Sequence, residues 1–226
     1  MREALRFGEV RLVVVGPDAT PESRTLTDDA GAGGMAVVAA SHEQMAQLAD
    51  TAHGQGIVAV CGRPAASLSD VTSPRLVLLL DEARDPGNVG TLIRTADAFG
   101  ASAVIATVGT AEVWGPKAVR ASVGSLFHLP IITGVEFEAA IEWARRAGLR
   151  LLGADADGRR LDELGVDLNR PTVWVVGNEA HGLPPEHLAA LDMTVAVPMW
   201  GRAESLNVQA AAAICLYTSA VAQGAP

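Results

Sequence analysis

From residue 75 onward, short apolar runs alternate with amphipathic stretches. Leu76–Leu80 is a continuous apolar run, which is typical of a strand buried on both faces of a parallel sheet. Beyond a polar loop, Val89, Leu92 and Ile93 recur at helical spacing. Gly100 predicts where that helix ends.

The same alternation continues to the end of the chain. Further strands are predicted at Ala103–Thr107, 129–133, 150–154, Thr172–Val176 and 194–199. Further helices are predicted at Pro116–Ser122, 137–147 and 208–221. Strands that alternate with helices predict an α/β fold, with a mostly parallel sheet flanked by helices.

Residues 1–62 show a shorter α/β pattern. Strands are predicted at 10–15, 35–40 and 56–61, and Ser41 with Gln44 has the spacing of a capping box for a helix that reaches about Ala52. Residues 18–34 are rich in Thr, Asp, Gly and Pro and predict a long mobile loop. We therefore predict a small domain (1–62), a proline-containing linker (63–74) and a larger domain (75–226).

Composition narrows the classes of protein. Of the 226 residues, 49% are hydrophobic and 19% are charged, so the chain can bury a core. The net charge of −9 argues against a protein that coats nucleic acid nonspecifically, although a local basic patch stays open. Cys61 and Cys215 lack metal-ligand spacing and predict free thiols in a reducing cytosol. No signal peptide and no membrane-length apolar run is evident, so we expect a cytoplasmic protein.

Polar loops follow two of the predicted strands. After the first, Asn88 is placed to cap a helix and Arg94 lies on its polar side, although an ordinary cap and a solvated Arg would be the usual explanation of either residue alone. After the second, Gly177 permits close backbone approach. Glu179 is expected to pair with an Arg, or else to be an acid at a helix N-terminus. His181 and His187 lack a third ligand and are expected at the surface, without metal.

A third polar loop runs from residue 200 to 207. Ser205 and Asn207 lie where it enters the last helix, and a plain helix cap is the alternative explanation for both. Because all three loops follow parallel strands, we expect them to converge at the carboxyl ends of the sheet. The glycine-rich stretch 31–34 has the wrong spacing for a Rossmann-type nucleotide loop.

Together these loops resemble, in order and spacing, the three motifs of the SpoU (TrmH) branch of the SPOUT methyltransferases. The residues that carry the resemblance are Asn88 and Arg94, then Gly177-Asn178-Glu179 with Gly182, then Val197-Pro198-Met199 with Ser205-Leu206-Asn207-Val208. The resemblance covers about residues 75–221. Residues 1–62 resemble, less sharply, the ribosomal-protein-like RNA-binding domain of many members, and look truncated at their start.

The resemblance implies a function. Members transfer a methyl group from S-adenosylmethionine to a ribose 2′-hydroxyl of rRNA or, less often expected here, tRNA, and release S-adenosylhomocysteine. They are homodimers with a deep trefoil knot, and the active site lies at the subunit interface. Matching positions imply a catalytic set of Arg94, Asn88, Glu179, Ser205 and Asn207. They imply cofactor contacts at Gly153, Ala154, Gly177, Val197, Met199 and Leu206.

An acidic chain that binds RNA needs a local basic groove, for which we expect Arg84, Lys117, Arg120 and Arg202. Arg94 is expected to stabilise alkoxide charge rather than to act as a base, because a guanidinium stays protonated. Two other functions stay open. One is a noncatalytic RNA-binding or ribosome-assembly protein on the same scaffold, and the other is a small-molecule methyltransferase.

Overall fold

The structure, a computed structural model, describes residues 1–48 and 54–224, apart from the side chains of residues 166 and 167. It divides the chain into two compact units, Met1–Pro64 and Ala65–Pro226. No described helix has the length and apolar character that crossing a membrane requires.

The first unit is built on a three-stranded sheet in the order β2-β1-β3. Strand β1 pairs in parallel with β2 and antiparallel with β3. The strands are β1 (Val10–Val15), β2 (Val37–Ala39) and β3 (Ile57–Cys61), and the helices are α1 (Arg2–Phe7), α2 (Pro21–Ala32) and α3 (His42–Leu48).

Helix α2 overturns the prediction of a mobile loop at residues 18–34. Thr20 caps this helix by accepting a hydrogen bond from the Ser23 amide at 3.1 Å, and Pro21 occupies the first turn. Both are strong helix-start signals. The polar residues that suggested a loop include Ser23 and Thr27, which are buried beneath the helix.

The predicted capping box before α3 is confirmed. The Ser41 amide donates to Gln44 Oε1 at 2.9 Å, and the Gln44 amide donates to Ser41 Oγ at 3.2 Å. The end predicted for this helix, near residue 52, lies outside the described residues.

The second unit contains a six-stranded sheet in the order β6-β5-β4-β8-β7-β9, and all its neighbouring strands are parallel. Its strands are β4 (Leu76–Leu80), β5 (Ala103–Thr107), β6 (Ile131–Val135), β7 (Arg150–Arg160), β8 (Thr172–Val176) and β9 (Met193–Ala196). Its helices are α4 (Pro86–Ala98), α5 (Pro116–Ser122), α6 (Phe137–Arg146), α7 (Pro185–Ala189) and α8 (Val208–Ala222). The predicted α/β fold with a mostly parallel sheet is confirmed.

Both faces of this sheet are covered. Along β4, Leu76, Leu78 and Leu80 face a cluster that includes α4 and α8, whereas Val77 and Leu79 face a cluster that includes α6. This alternation explains why β4 is apolar at every position. On the first face, Trp174 Nε1 donates to Ser219 Oγ at 2.8 Å and ties β8 to α8.

Several boundaries differ from the sequence prediction, among them that of β6, which spans Ile131–Val135 rather than 129–133. Strand β9 ends at Ala196, so Val197 and Met199 belong to the loop that follows it. Strand β7 continues to Arg160, well past residue 154, because it bulges and pairs twice with Val195 of β9. In the segment predicted as a linker, Val71 is buried and packs in the second core cluster of the larger unit.

Candidate active site

The loops after β8 and β9 meet at one cavity, which β7 also lines. The loop after β4 meets the loop after β8 at a neighbouring cavity. The volume of the first cavity is about 350 Å³, within the range of small-molecule sites. Its wall residues include Ala154, Asp155 and Asp157 of β7, Gly177 to Ala180 and Gly182 after β8, and Val197, Met199, Ser205 and Leu206 after β9. The expected convergence is therefore observed at this cavity for the loops after β8 and β9, and at the neighbouring cavity for the loops after β4 and β8.

The loop after β8 folds back on itself. The Asn178 amide donates to the Gly182 carbonyl at 3.1 Å, and the Gly182 amide donates to the Asn178 carbonyl at 2.9 Å. A Cβ atom at Gly177 would lie 2.4 Å from the Gly182 carbonyl oxygen. Gly177 thus permits close approach of the loop's own backbone. The Asn178 side chain joins this loop to the one after β4, because Nδ2 donates to the Glu82 carbonyl at 3.1 Å.

Glu179 fastens the same loop to the start of α4. Its carboxylate accepts hydrogen bonds from the backbone amides of Arg84 (3.2 Å) and Asp85 (3.3 Å) and from Asn88 Nδ2 (2.9 Å). The prediction that Glu179 pairs with an Arg side chain is wrong. The nearby Arg84 Nη2 instead binds Glu82 at 2.9 Å. The alternative explanation, an acid at a helix N-terminus, describes the observed geometry.

Helix α4 is capped by Asp85, not by Asn88 as expected. Asp85 Oδ1 accepts the Asn88 amide at 2.9 Å, and Pro86 occupies the first turn. The Asn88 side chain is therefore available for two other contacts. Its Nδ2 donates to Glu179, and its Oδ1 accepts from Gln209 Nε2 of α8.

Both carboxylates at this helix start are held in the ionised form. Partial burial raises the pKa of Glu179, but hydrogen bonds from Asn88 and backbone amides outweigh this effect, so the pKa lies below its ordinary value. The pKa of Asp85 is also lowered, first by its bond to Lys117 Nζ at 2.7 Å and then by the Asn88 amide. Hydrogen bonds that favour the charged form are the cause in both cases.

The loop from Trp200 to Leu206 contrasts with this corner. All its residues are exposed, and within the described part of the chain none of its side chains forms a hydrogen bond or ion pair. Asn207, which follows, caps α8, since its Oδ1 accepts the Gln209 amide at 2.8 Å. The plain cap expected as an alternative is therefore observed for Asn207. Ser205 lines the cavity, and its hydroxyl has no hydrogen-bond partner among residues 1–48 and 54–224.

Arg94 lies on α4, six residues beyond Asn88 and about 9 Å further along the axis. It is exposed, and its guanidinium has no hydrogen-bond or ion-pair partner among residues 1–48 and 54–224. Arg94 lines neither the main cavity nor a neighbouring one of about 570 Å³ that contains Arg84, Asn88 and His181. Arg94 is therefore a cation without a described partner that lies outside both cavities of its own subunit.

Five of the six residues expected to hold a cofactor lie on the cavity wall, namely Ala154, Gly177, Val197, Met199 and Leu206. Gly153 lies behind them in the sheet, where a Cβ atom would meet Leu191 Cδ1 at 2.5 Å. The wall also carries Asp155, Asp157 and Glu179 and no Lys, Arg or His. A cavity wall of this composition, with apolar side chains and carboxylates, suits a ligand that has both apolar parts and a positive charge.

The basic residues expected to bind RNA are not equally available. Arg84 is paired with Glu82, and Lys117 is paired with Asp85. Arg120 also interacts with another group of the protein, so it is not free either. Arg202 is exposed in the loop after β9, without a partner among the residues that the structure describes.

One hydrogen-bonded pair, formed by Asp81 and His187, was not predicted from the sequence. Asp81, buried at the end of β4, accepts a hydrogen bond from His187 Nδ1 at 2.6 Å, and the imidazole stacks on Phe137 with 3.7 Å between ring centroids. The expectation that His187 is a surface histidine is therefore wrong, whereas His181 is exposed. Only the unexpected helix α7 brings His187 to the sheet. In the described parts of the chain, no three His, Cys, Asp or Glu residues are grouped to hold a metal ion.

The comparison with known families decides the affiliation. The model of the SpoU rRNA Methylase family matches residues 75–217. This span includes all three motif loops. The chain belongs to the SpoU rRNA methylase family. The resemblance expected from the motifs is thereby confirmed.

Individual proteins that are similar to this chain are also methyltransferases by name. The chain is 36% identical over 178 residues to the 23S rRNA (guanosine(2553)-2′-O)-methyltransferase RlmP of Bacillus subtilis, covering 78% of this chain and 69% of that protein. It is 31% identical to the 23S rRNA (guanosine-2′-O-)-methyltransferase RlmB of Nitrosomonas europaea, covering 80% and 72%. The SpoU methyltransferase AviRb of Streptomyces viridochromogenes, solved with AdoMet, superposes with a TM-score of 0.84 at 30% identity, covering 100% of this chain and 88% of that one.

Proposed function

We propose that this protein transfers the methyl group of S-adenosylmethionine to a ribose 2′-hydroxyl of rRNA and releases S-adenosylhomocysteine. The observation that carries the proposal is the cavity lined by the second and third SpoU motif loops, together with Arg94 of the first motif, whose guanidinium has no partner among the described residues. The choice of rRNA over tRNA is supported by relatives that are named as 23S rRNA methyltransferases.

The cavity suits this cofactor in charge as well as in volume. S-adenosylmethionine supplies a methyl group on a positively charged sulfonium, which is already a strong electrophile. The carboxylates of Asp155, Asp157 and Glu179, with no cation on the wall, favour a positively charged ligand. Val197, Met199 and Leu206 offer apolar contact and backbone groups.

Arg94 acts on the nucleophile. A ribose hydroxyl is weakly nucleophilic, and its oxygen gains negative charge as the proton leaves. Because its guanidinium has no partner among the residues that the structure describes, Arg94 can donate to this oxygen or to the adjacent phosphate. The phosphate can accept the proton, since Arg94 itself stays protonated.

The other catalytic candidates orient the reactants. Glu179 and Asn88 fix the start of the helix that carries Arg94, and accurate alignment is the main requirement of an in-line transfer. Ser205 presents a free hydroxyl on the cavity wall, and Asn207 holds the first turn of α8 as its cap. Arg202, with Arg84, Lys117 and Arg120, supplies positive charge for the RNA phosphates.

The working form is a homodimer with a trefoil knot. Arg94 lies outside its own subunit's cavities, so a second copy can bring it to a cavity. Ile214, Tyr217 and Val221 form an exposed apolar stripe on α8, at the spacing of one helix face. α8 also packs back on β4, β8 and β7, which supports a knotted path. Replacement of Tyr217 by Glu should yield monomers in sedimentation, and a dimer that persists would contradict this assembly.

The small unit, Met1–Pro64, serves RNA binding in this proposal, and the cytoplasm is the compartment where rRNA is available. Arg2, Arg6 and Arg11 supply its positive charge. Comparison of the full chain with residues 65–226 in RNA binding measures the contribution of this unit to affinity.

The decisive experiment incubates the protein with methyl-labelled S-adenosylmethionine and total RNA from cells that lack the gene. We expect label in rRNA, at a nucleotide that resists alkaline cleavage because its 2′-oxygen is methylated. The Arg94→Ala variant is the matched control. Label in a base would contradict ribose transfer. RNA binding without any transfer would instead support the noncatalytic RNA-binding protein.

A further inference from the structure

Gln209 lies in the first turn of α8, where that helix leaves the cavity. Its neighbours Val208 and Ala211 line the cavity, and its own backbone amide is held by the Asn207 cap at 2.8 Å. Its side chain turns towards α4, where Nε2 donates a hydrogen bond to Asn88 Oδ1. Gln209 therefore joins the helix after one motif loop to the helix that begins at another.

Glu179 fixes the direction of every hydrogen bond in this series. An ionised carboxylate only accepts hydrogen bonds, so Asn88 must present its Nδ2 group to Glu179 Oε1. Asn88 Oδ1 then points away and requires a donor, which Gln209 Nε2 supplies. With both ends of its amide held, Asn88 has one orientation in place of two alternative flips.

We infer that Gln209 is a positioning residue that holds Asn88, and through it Glu179, in the orientation that fixes the start of α4. The series continues into the backbone, because Glu179 accepts the amides of Arg84 and Asp85 at 3.2 and 3.3 Å. The inference rests on the proposed function, since α4 carries Arg94. Gln209 thereby couples the cofactor side of the site to the helix that acts on the RNA.

Gln209→Glu separates positioning from a merely structural role. It keeps the shape of the side chain but replaces the donor with a carboxylate that repels Asn88 Oδ1. Negative charge in the first turn of a helix is favourable, so we expect Tm to stay within a few degrees of wild type. We expect kcat to fall about tenfold because α4 is misplaced, with the KM for RNA and the Kd for S-adenosylmethionine changed less than about twofold.

Gln223→Ala is the matched control, because it removes a similar bond at the other end of α8. Gln223 Nε2 donates to the Arg170 carbonyl at 2.9 Å, away from the cavity wall, and its loss should leave kcat unchanged. A wild-type kcat in Gln209→Glu would overturn the inference.

A double-mutant cycle tests whether Gln209 acts through Asn88. Removal of Asn88 should abolish any effect that is transmitted through it. We expect Gln209→Ala to lower kcat about tenfold in the wild-type background and to have no further effect beside Asn88→Ala. An equal effect in both backgrounds would mean that Gln209 acts directly, and would also overturn the inference.

Amide hydrogen exchange tests the same inference without catalysis. The Arg84 and Asp85 amides are protected by Glu179, so they should exchange several-fold faster in Gln209→Ala and Gln209→Glu but not in Gln223→Ala. Unchanged exchange would overturn the positioning role. A wild-type protein that methylates no RNA would refute the proposed function alone, and these exchange rates would still decide the role of Gln209.

Discussion

The two sides of the cavity differ in how much of their structure is fixed by the protein itself. At the corner formed by Glu179, Asn88 and Gln209, every side chain is hydrogen bonded to another element. In the loop from Trp200 to Leu206, none of the described side chains forms a hydrogen bond or ion pair, and Trp200 is 83% exposed. The first side is organised before any ligand arrives, whereas the second offers free groups to ligands.

This difference assigns separate tasks to the two sides. Preorganised groups lower the barrier of a reaction because they need no rearrangement when the transition state forms. Free, exposed groups suit contact with a large partner, whose surface they can follow. Changes at the Glu179 corner should therefore lower kcat, and changes in the loop should act on binding.

The largest effect is expected at Arg94, which lies on the helix whose start the Glu179 corner holds in place. Arg94→Lys keeps the charge but loses the planar fork, and Arg94→Ala loses both. We expect single-turnover methyl transfer to fall about 10³-fold in Arg94→Ala and only slightly less in Arg94→Lys. The Kd for S-adenosylmethionine, measured by calorimetry, should stay unchanged, because Arg94 lines neither cavity of its own subunit.

Arg146 offers the matched control. It is an exposed Arg on α6, paired with Glu142 at 2.8 Å. Arg146→Lys should keep full activity. Near wild-type transfer by Arg94→Lys would mean that a single positive charge suffices and that bidentate hydrogen bonding by Arg94 is not required.

A direct comparison of the two sides pairs Glu179→Ala with Ser205→Ala. Loss of the Glu179 carboxylate leaves two backbone amides and Asn88 without their acceptor, so we expect kcat to fall about 10²-fold and stability to fall by about 1 kcal/mol. The Ser205 side chain forms no hydrogen bond within the described part of the chain, so its loss should leave the denaturation midpoint unchanged and lower kcat less than about tenfold. Equal stability losses would remove the distinction between the sides.

The fold was largely predictable because its signals are local. β4, β5 and β8 are fully buried apolar runs, and such runs specify a parallel sheet covered on both faces. The motif loops could be placed at one edge of the sheet for the same reason. α2 was missed because its buried Ser23 and Thr27 are indistinguishable in sequence from loop residues, although Thr20 and Pro21 gave a readable start signal.

The contacts inside the site were not predictable, because they join residues far apart in the chain. Asn88 and Gln209 are separated by 121 positions, and Asp81 and His187 by 106. Sequence pattern shows which face of a helix is apolar but not which polar group meets which across elements. Glu179 was expected to need a cation, and three hydrogen-bond donors at the start of α4 took that place.

A smaller effect is expected at Arg202, the free cation of the exposed loop. Each phosphate contact releases counterions, so Arg202→Ala should reduce the slope of log affinity against log salt by about 0.7 to 0.9. It should also weaken binding to a 23S rRNA transcript a few-fold, with kcat and Tm unchanged. Filter binding at several salt concentrations measures both, with Arg146→Ala as the control. An unaltered slope would place the loop away from the phosphates.

The smallest effect concerns acid stability and again contrasts the two sides. The pKa of Glu179 in the folded protein lies below its ordinary value of 4.5, so its ionised form stabilises the fold above about that pH, and this contribution is lost as pH falls through the folded pKa. Glu179→Gln should therefore be less stable than wild type at pH 7, with the difference shrinking towards pH 3. Glu204, in the exposed loop, forms no hydrogen bond or ion pair with a described residue, so Glu204→Gln should match wild type at both pH values in urea denaturation. A difference that persists at pH 3 for Glu179→Gln would mean that shape rather than charge holds the corner together.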